Sequence, residues 1–248
     1  MNGRFQSCKT LKAMNIILFE NEIDEFGNGV IPSSMHAYDH ILNVLRSSEG
    51  DEFKCGIWGR SRGIGVIKSV SEAGIDFSYR ENDVGLSGLE LYLMMSYIRP
   101  ICARRVMRFI GEAAVSGIVF VPTALTEKSY MNSSFYTKGE CIEILKQGCE
   151  ISGGAFRPEV VLAKSFSEGL EYFDDKGIAN RYLLEKSDSS EKLHRPEFGA
   201  SVLAIGCERG WVKDEVSAFL DRGFVIRNLG KRILRSEESA IVSVFPWL

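Results

Sequence analysis

Two patterns of apolar residues divide the chain. From Met14 to about Asp83 the apolar positions come in short runs, Ile16 to Phe19, Glu52 to Trp58, Ile64 to Val70 and Ile75 to Tyr79, separated by glycine and serine. Runs of that length and spacing predict the strands of a small barrel. From Leu89 onward, apolar runs alternate with stretches of helical period. Strands are expected over Leu89 to Ser96, Gly117 to Val121, Glu159 to Leu162, Arg181 to Leu184, Ser201 to Ile205 and Phe224 to Arg227, with helices between most of them. That alternation predicts an α/β domain with a mostly parallel sheet covered by helices.

The last third carries the clearest local signals. Val212 to Leu220 has apolar residues at helical spacing, and Asp221-Arg222-Gly223 stops it, with Gly223 suited to a left-handed C′ position. Two glycine-bearing loops, Ala204 to Trp211 and Asn228 to Glu237, therefore leave the same end of adjacent strands. In an open α/β sheet that end binds ligands, because backbone N–H groups and helix N-termini converge there.

Composition narrows the class. The chain has 248 residues, 45% hydrophobic and 25% charged, as in globular domains, and a net charge of −3. No apolar stretch is long enough to span a bilayer. Residues 1 to 13 carry Arg4, Lys9 and Lys12, no acid and no apolar signal core, and are expected to form a disordered extension, with Met14 reading as a natural start. The six cysteines, at 8, 55, 102, 141, 149 and 207, make no C-x-x-C pair and suit a reducing cytosol, and Cys141 and Cys149 fit a buried helix face. His36 and His40 stand at i and i+4, but His194 lies in a charged loop, so no metal site is expected. Gly63-Ile64-Gly65-Val66-Ile67-Lys68 is not a dinucleotide loop, since Lys68 takes the place of the third glycine and strands follow.

At the two C-terminal loops the chain becomes recognisable. Gly206-Cys207-Glu208-Arg209-Gly210-Trp211 resembles the G-P-E-G-G-F/W run of the RsmE family in the SPOUT superfamily, and Leu229-Gly230-Lys231-Arg232-Ile233-Leu234-Arg235-Ser236-Glu237 resembles its L-G-x-R-I-L-R-T-E run. Thr126-Glu127-Lys128-Ser129 matches the family's T-E-R-S, and Tyr38 to Arg46 resembles its H-H-x-x-x-V-L-R element, with Asp39 in place of one histidine. The resemblance implies a PUA-like, RNA-binding barrel over 14–85 and a SPOUT α/β domain over 86–248 that ends in a trefoil knot. It also implies a cytoplasmic homodimer that uses S-adenosylmethionine to methylate N3 of a uridine in 16S rRNA during ribosome biogenesis.

The same resemblance implies a site. Leu184, Glu185, Ile205, Gly206, Cys207, Glu208, Gly210, Leu229, Gly230, Ile233 and Leu234 would hold the cofactor. Arg235 would stabilise negative charge on the uracil carbonyl oxygens, and Glu208 or Glu237 would orient that arginine or accept a proton, although both glutamates also suit helix N-termini.

Arg99, Arg104, Arg105 and Arg108 form the densest basic stretch and read either as phosphate contacts or as a solubilised helix face. Arg46 joins them from the barrel. Met14 to Met95 hold six Lys/Arg against thirteen Asp/Glu, so a barrel that grips RNA needs Arg46, Arg60 and Arg62 on one face. Cys207, Arg209, Ile151 and Gly154 depart from the family pattern. If the loop requires positive φ at residue 209, its arginine costs ~1 kcal/mol. Those departures leave open a catalytically divergent relative that binds RNA or cofactor only, and an unrelated small-molecule α/β enzyme is a third reading.

Overall fold

The computed structural model describes residues 16–83, 87–186 and 190–248. The expected extension over residues 1 to 13, with Met14, lies outside the described residues. The chain divides into two compact units: the residues up to Asp83 together with Glu150–Ala155, and Ser87–Cys149 together with Phe156–Leu248.

In the first unit β1 (Ile17–Phe19), β2 (Asn28–Pro32), β3 (Glu52–Ile57), β4 (Ser61–Val70) and β5 (Gly74–Asp83) make one sheet of order β1-β3-β4-β5-β2, curled into a half-barrel. Only β1 and β3 run parallel. Phe77 anchors its core, stacked on Phe19 at 5.0 Å and edge-on to Phe53 at 5.3 Å. The strand β2 escapes the hydrophobic pattern, because Gly29 stands where an alternating strand would carry a side chain. A Cβ there would lie 2.2 Å from Phe77 Cζ, so the missing side chain makes room for the ring.

Between β2 and β3, α1 (His36–Asp39) continues as a π-helical turn over His40–Leu45. Of His40, Val44 and Leu45, which read at α-helical spacing as one possible inner face, Leu45 packs against the core and Val44 does not. Ile41 is fully buried, whereas Val44 is exposed, since the wider i to i+5 winding shifts which side chains face inward. The basic residues do not gather on one face as free charges: Arg60 lies 3.9 Å from Glu81 and Arg62 pairs with Asp83.

The second unit contains β6 (Leu89–Ser96), α2 (Pro100–Glu112), β7 (Val115–Val121), the short α3 (Lys128–Met131) and α4 (Ser134–Thr137), and α5 (Glu140–Ser152), whose last turn is grouped with the first unit. There follow β8 (Glu159–Leu162), α6 (Phe166–Asp175), β9 (Asn180–Leu184), β10 (Ser201–Ile205), α7 (Lys213–Asp221), β11 (Val225–Arg227) and α8 (Ser236–Val244), then a 3-10 turn at Phe245–Trp247. The six strands are all parallel, in the order β11-β9-β10-β6-β7-β8.

Every residue of β10 is buried, which explains its unbroken apolar run: both faces of a parallel sheet are covered. Phe219 of α7 locks one layer, with its ring 4.8 Å from Trp211, 4.8 Å from Phe224 and 5.1 Å from Phe166. The helix stops at Gly223, whose φ of 77° is the left-handed stop expected from the sequence.

Candidate active site

The parallel strands β9, β10 and β11 release three loops at the same end of the sheet, after Leu184, Ile205 and Arg227. Between these loops lies a cavity of about 360 Å³. Leu184 and Glu185 line it from the first loop, Ile205, Gly206, Cys207, Glu208 and Gly210 from the second, and Leu229, Gly230, Ile233 and Leu234 from the third. The residues expected to hold a cofactor therefore share one wall, at the end of the sheet where such sites form.

The second loop is a tight turn. Gly210 N–H donates to the Cys207 carbonyl at 2.9 Å, and Gly210 has φ 73°. The left-handed residue is thus Gly210, and Arg209 is not strained. The expected cost of an arginine at 209 disappears, because the turn puts its positive φ one position later. Gly206 is required for space: a Cβ there would come 3.1 Å from Gly210 Cα and 3.3 Å from Trp211 Cε2. Cys207, where the resembled pattern has proline, is buried and directs its thiol toward the Gly210 carbonyl at 3.7 Å.

The third loop is built on Asn228. Its Nδ2 donates to the Ser190 carbonyl at 2.6 Å, and its Oδ1 accepts Gly230 N–H at 2.9 Å, so one side chain fixes the turn at Leu229-Gly230 from both sides. Arg227, also on the cavity wall, pairs with Glu191 at 3.2 Å and lies over the Tyr182 ring at 5.8 Å. Sequence reasoning missed Arg227 and Trp211 as wall residues. Arg227 reads only as the end of a strand, and Trp211 closes the resembled run without a role in the site assigned to it.

Of the three charged residues assigned to chemistry, Glu208 and Arg235 line the cavity and Glu237 does not. Arg235 is exposed at the N-cap of α8. Glu237, in the first turn of α8, is only 2% exposed and accepts a hydrogen bond from the Cys102 thiol of α2. Burial, that bond and the nearby charges of Glu237 and Glu208 push Cys102 up to about 11. A carboxylate at that position also suits the helix dipole, so Glu237 reads as a structural group of the α2–α8 contact.

The arginines of α2 separate in the same way. Arg104 pairs with Glu140 and sits over Phe135 at 5.3 Å, and Arg108 reaches Gln147 at 3.4 Å. Arg99 donates to the Tyr130 hydroxyl, while Arg105 is exposed. Arg46, exposed with φ 56°, belongs to the first unit.

Burial holds the Glu185 carboxyl above its usual range, and the Lys186 N–H offsets this only in part. A carboxyl with a raised folded pKa stabilises the fold fully below its unfolded value of 4.5, and that contribution is lost as pH rises through the folded value. Glu185→Gln is therefore expected to raise the melting temperature at pH 7, to leave it unchanged near pH 4, and to weaken binding of a cationic ligand in the cavity. A melting temperature unmoved at pH 7 would show that the carboxylate is not penalised.

The RNA methyltransferase domain family matches residues 86–246. Ribosomal RNA small subunit methyltransferase E 1 of Borreliella burgdorferi is 27% identical over 232 residues, spanning 93% of this chain and 95% of its own. Ribosomal RNA small subunit methyltransferase E of Treponema pallidum is 30% identical over 233 residues, spanning 92% and 88%. A crystal structure of ribosomal RNA small subunit methyltransferase E from Neisseria gonorrhoeae, bound to S-adenosyl methionine, matches with a TM-score of 0.77 at 20% identity, over 94% of this chain and 95% of that one. That likeness shows that the chain shares the fold of that structure over nearly its whole length. From its two-unit α/β fold to its C-terminal loops, the chain belongs to the RsmE family of RNA methyltransferases.

Proposed function

We propose that the protein transfers a methyl group from S-adenosylmethionine to N3 of a uridine in 16S rRNA, acting on the small ribosomal subunit in the cytoplasm as a homodimer. The observation that carries this reading is the convergence of three strand-end loops, with Glu208 and Arg235, on one cavity.

The cavity fits the cofactor. Its volume of about 360 Å³ falls in the range of small-molecule sites. Leu184, Ile205, Leu229 and Leu234 offer apolar walls for a nucleobase, and Glu185 and Glu208 bring negative charge suited to a cationic ligand. Two wall residues carry buried donors without an acceptor among the described residues, Trp211 Nε1 and Arg227 Nε. When bound, S-adenosylmethionine supplies an electrophilic methyl group on its sulfonium.

The chain supplies alignment and charge. Methylation at N3 removes the N3 proton and moves electron density onto the uracil carbonyl oxygens. Arg235, a permanent cation on the cavity wall, stabilises that density, and the Glu208 carboxylate accepts the proton or orients Arg235. The third loop and Arg99 with Arg105 offer polar contacts for RNA, and the PUA-like unit contributes mainly by shape, since its acids outnumber its bases.

Support for a homodimer comes from apolar side chains of the second unit left at the surface, Ile233 at 81%, Phe245 at 61% and Ile101 at 59% exposed. Among the described residues no helix is long and apolar enough to cross a membrane.

The test is mass spectrometry of 16S rRNA from cells with and without the gene, followed by methyl transfer with purified protein. Loss of 3-methyluridine on deletion is expected, with transfer restored on small subunits better than on naked RNA. Unchanged 3-methyluridine and no transfer to subunits would leave the relative that binds RNA or cofactor without catalysis.

A further inference from the structure

Two side chains from the second cavity loop and its helix reach away from the cavity to the same neighbour. Arg209 donates to the Leu125 carbonyl at 2.6 Å. Glu215, only 7% exposed, accepts Ala124 N–H on Oε1 at 2.7 Å and Val212 N–H on Oε2 at 3.0 Å. One buried carboxylate thus ties the start of α7 to the segment after β7, and a guanidinium ties the turn itself to the next residue of that segment.

The segment they hold is already closed on itself. Thr126 N–H donates to the Thr123 carbonyl at 3.0 Å, Thr123 N–H donates to Thr126 Oγ1 at 3.0 Å, and the two hydroxyls lie 2.8 Å apart. No residue of 122–128 lines the cavity. Immediately beyond the closed turn, Glu127, Lys128 and Ser129 are exposed, and Tyr130 accepts from Arg99.

We propose that Arg209 and Glu215 are positioning residues that couple the cavity to this turn, so that cofactor binding fixes the exposed Glu127-Lys128-Ser129 run for substrate RNA. The proposal rests on the reading of the cavity as the S-adenosylmethionine site. The coupling is physical: a ligand that restricts the Gly206–Gly210 turn also restricts Arg209, and the guanidinium carries that restriction to Leu125 through a charge-assisted bond. Both oxygens of Glu215 are occupied by N–H donors, so an amide would turn its own NH2 against one of them.

The experiment is hydrogen–deuterium exchange of the full chain with and without S-adenosylhomocysteine, for wild type, Arg209→Ala, Arg209→Lys and Glu215→Gln. In the wild type the ligand is expected to slow exchange in 205–210 and 228–235 and, about fivefold, in 122–128. Arg209→Ala should keep the cavity protection, with affinity within about threefold, and lose the ligand-dependent protection of 122–128. Arg209→Lys should restore part of it, since an ammonium also donates to a carbonyl, and Glu215→Gln should reduce it. A purely structural role would change exchange in 122–128 equally with and without ligand. Protection confined to the cavity loops in the wild type, or remote protection that persists in Arg209→Ala, overturns the coupling while the cofactor reading stands. Protection nowhere overturns the cofactor reading and the coupling together.

Discussion

Arg235→Ala is expected to lower turnover on small subunits by roughly 10²–10³-fold while leaving S-adenosylhomocysteine affinity within a few-fold. The side chain is exposed on the cavity wall, and among the described residues no hydrogen bond or ion pair holds it. Its backbone caps α8, with the carbonyl accepting Ser239 N–H at 2.8 Å, and truncation leaves that bond in place. The fold should therefore tolerate the change, with a melting temperature within a degree or two of wild type. An unpaired cation beside a cavity with carboxylates is free to meet charge that appears only as the base reacts. Such a group contributes to the transition state more than to ground-state binding, so kcat falls and cofactor affinity does not. Arg235→Lys should recover part of the activity, because an ammonium keeps the charge but not the planar fork. Turnover within threefold of wild type, or a fall in cofactor affinity that matches the fall in turnover, would place Arg235 outside the chemistry.

The sequence makes the parallel unit legible for a definite reason. Strands of a covered parallel sheet read as short apolar runs, and Leu89 to Ser96, Glu159 to Leu162 and Ser201 to Ile205 coincide with β6, β8 and β10 at both ends, although only β10 is buried throughout and the edge strand β8 is partly exposed. Much of the cavity wall is legible too, since the second and third loops are two short runs, the second with glycines that answer to backbone needs, space at Gly206 and positive φ at Gly210. What stays hidden depends on contacts between segments distant in the chain. Arg209 reads as a strained departure until Leu125, 84 positions earlier, is seen to receive it. Glu215 reads as an ordinary first-turn acid of α7 until Ala124, 91 positions earlier, is seen to donate to it. Glu237 looks as suitable for catalysis as Glu208, and only the packing of α8 on α2 separates a buried partner of Cys102 from a wall residue. In the half-barrel, β2 is missed because its one telling residue, Gly29, records the position of Phe77 rather than any local pattern.

Gly148→Ala is expected to be the most damaging single methyl group in the second unit. A Cβ at Gly148 of α5 would stand 2.1 Å from the Arg108 carbonyl oxygen of α2, 3.0 Å from its carbon and 3.1 Å from Glu112 N. The approach is reciprocal: at Gly111 of α2 a Cβ would stand 2.2 Å from the Leu145 carbonyl oxygen. These neighbours are helix backbone, so no rotamer change relieves the overlap and the helices must separate. Better helix propensity of alanine returns ~1 kcal/mol, but forced separation of two packed helices costs ~3 kcal/mol or more, because Val106, Ile110 and Leu145 lose close contact together. At about 2–4 °C per kcal/mol for a chain of this size, the melting temperature should fall by roughly 4–8 °C. Gly177→Ala provides the contrast. It has φ 64° and open space around its Cβ, so only backbone strain of ~1 kcal/mol applies and the shift should be a few degrees at most. The damage at Gly148 also reaches the site. The helix α2 that must move carries Cys102, which holds Glu237 at the start of α8, and α8 begins one residue after Arg235. Gly148→Ala should therefore lose turnover well below its own melting temperature, whereas Gly177→Ala should not. Equal melting temperatures for the two variants would mean that α2 and α5 yield without cost, and the close crossing would then have no part in holding the site.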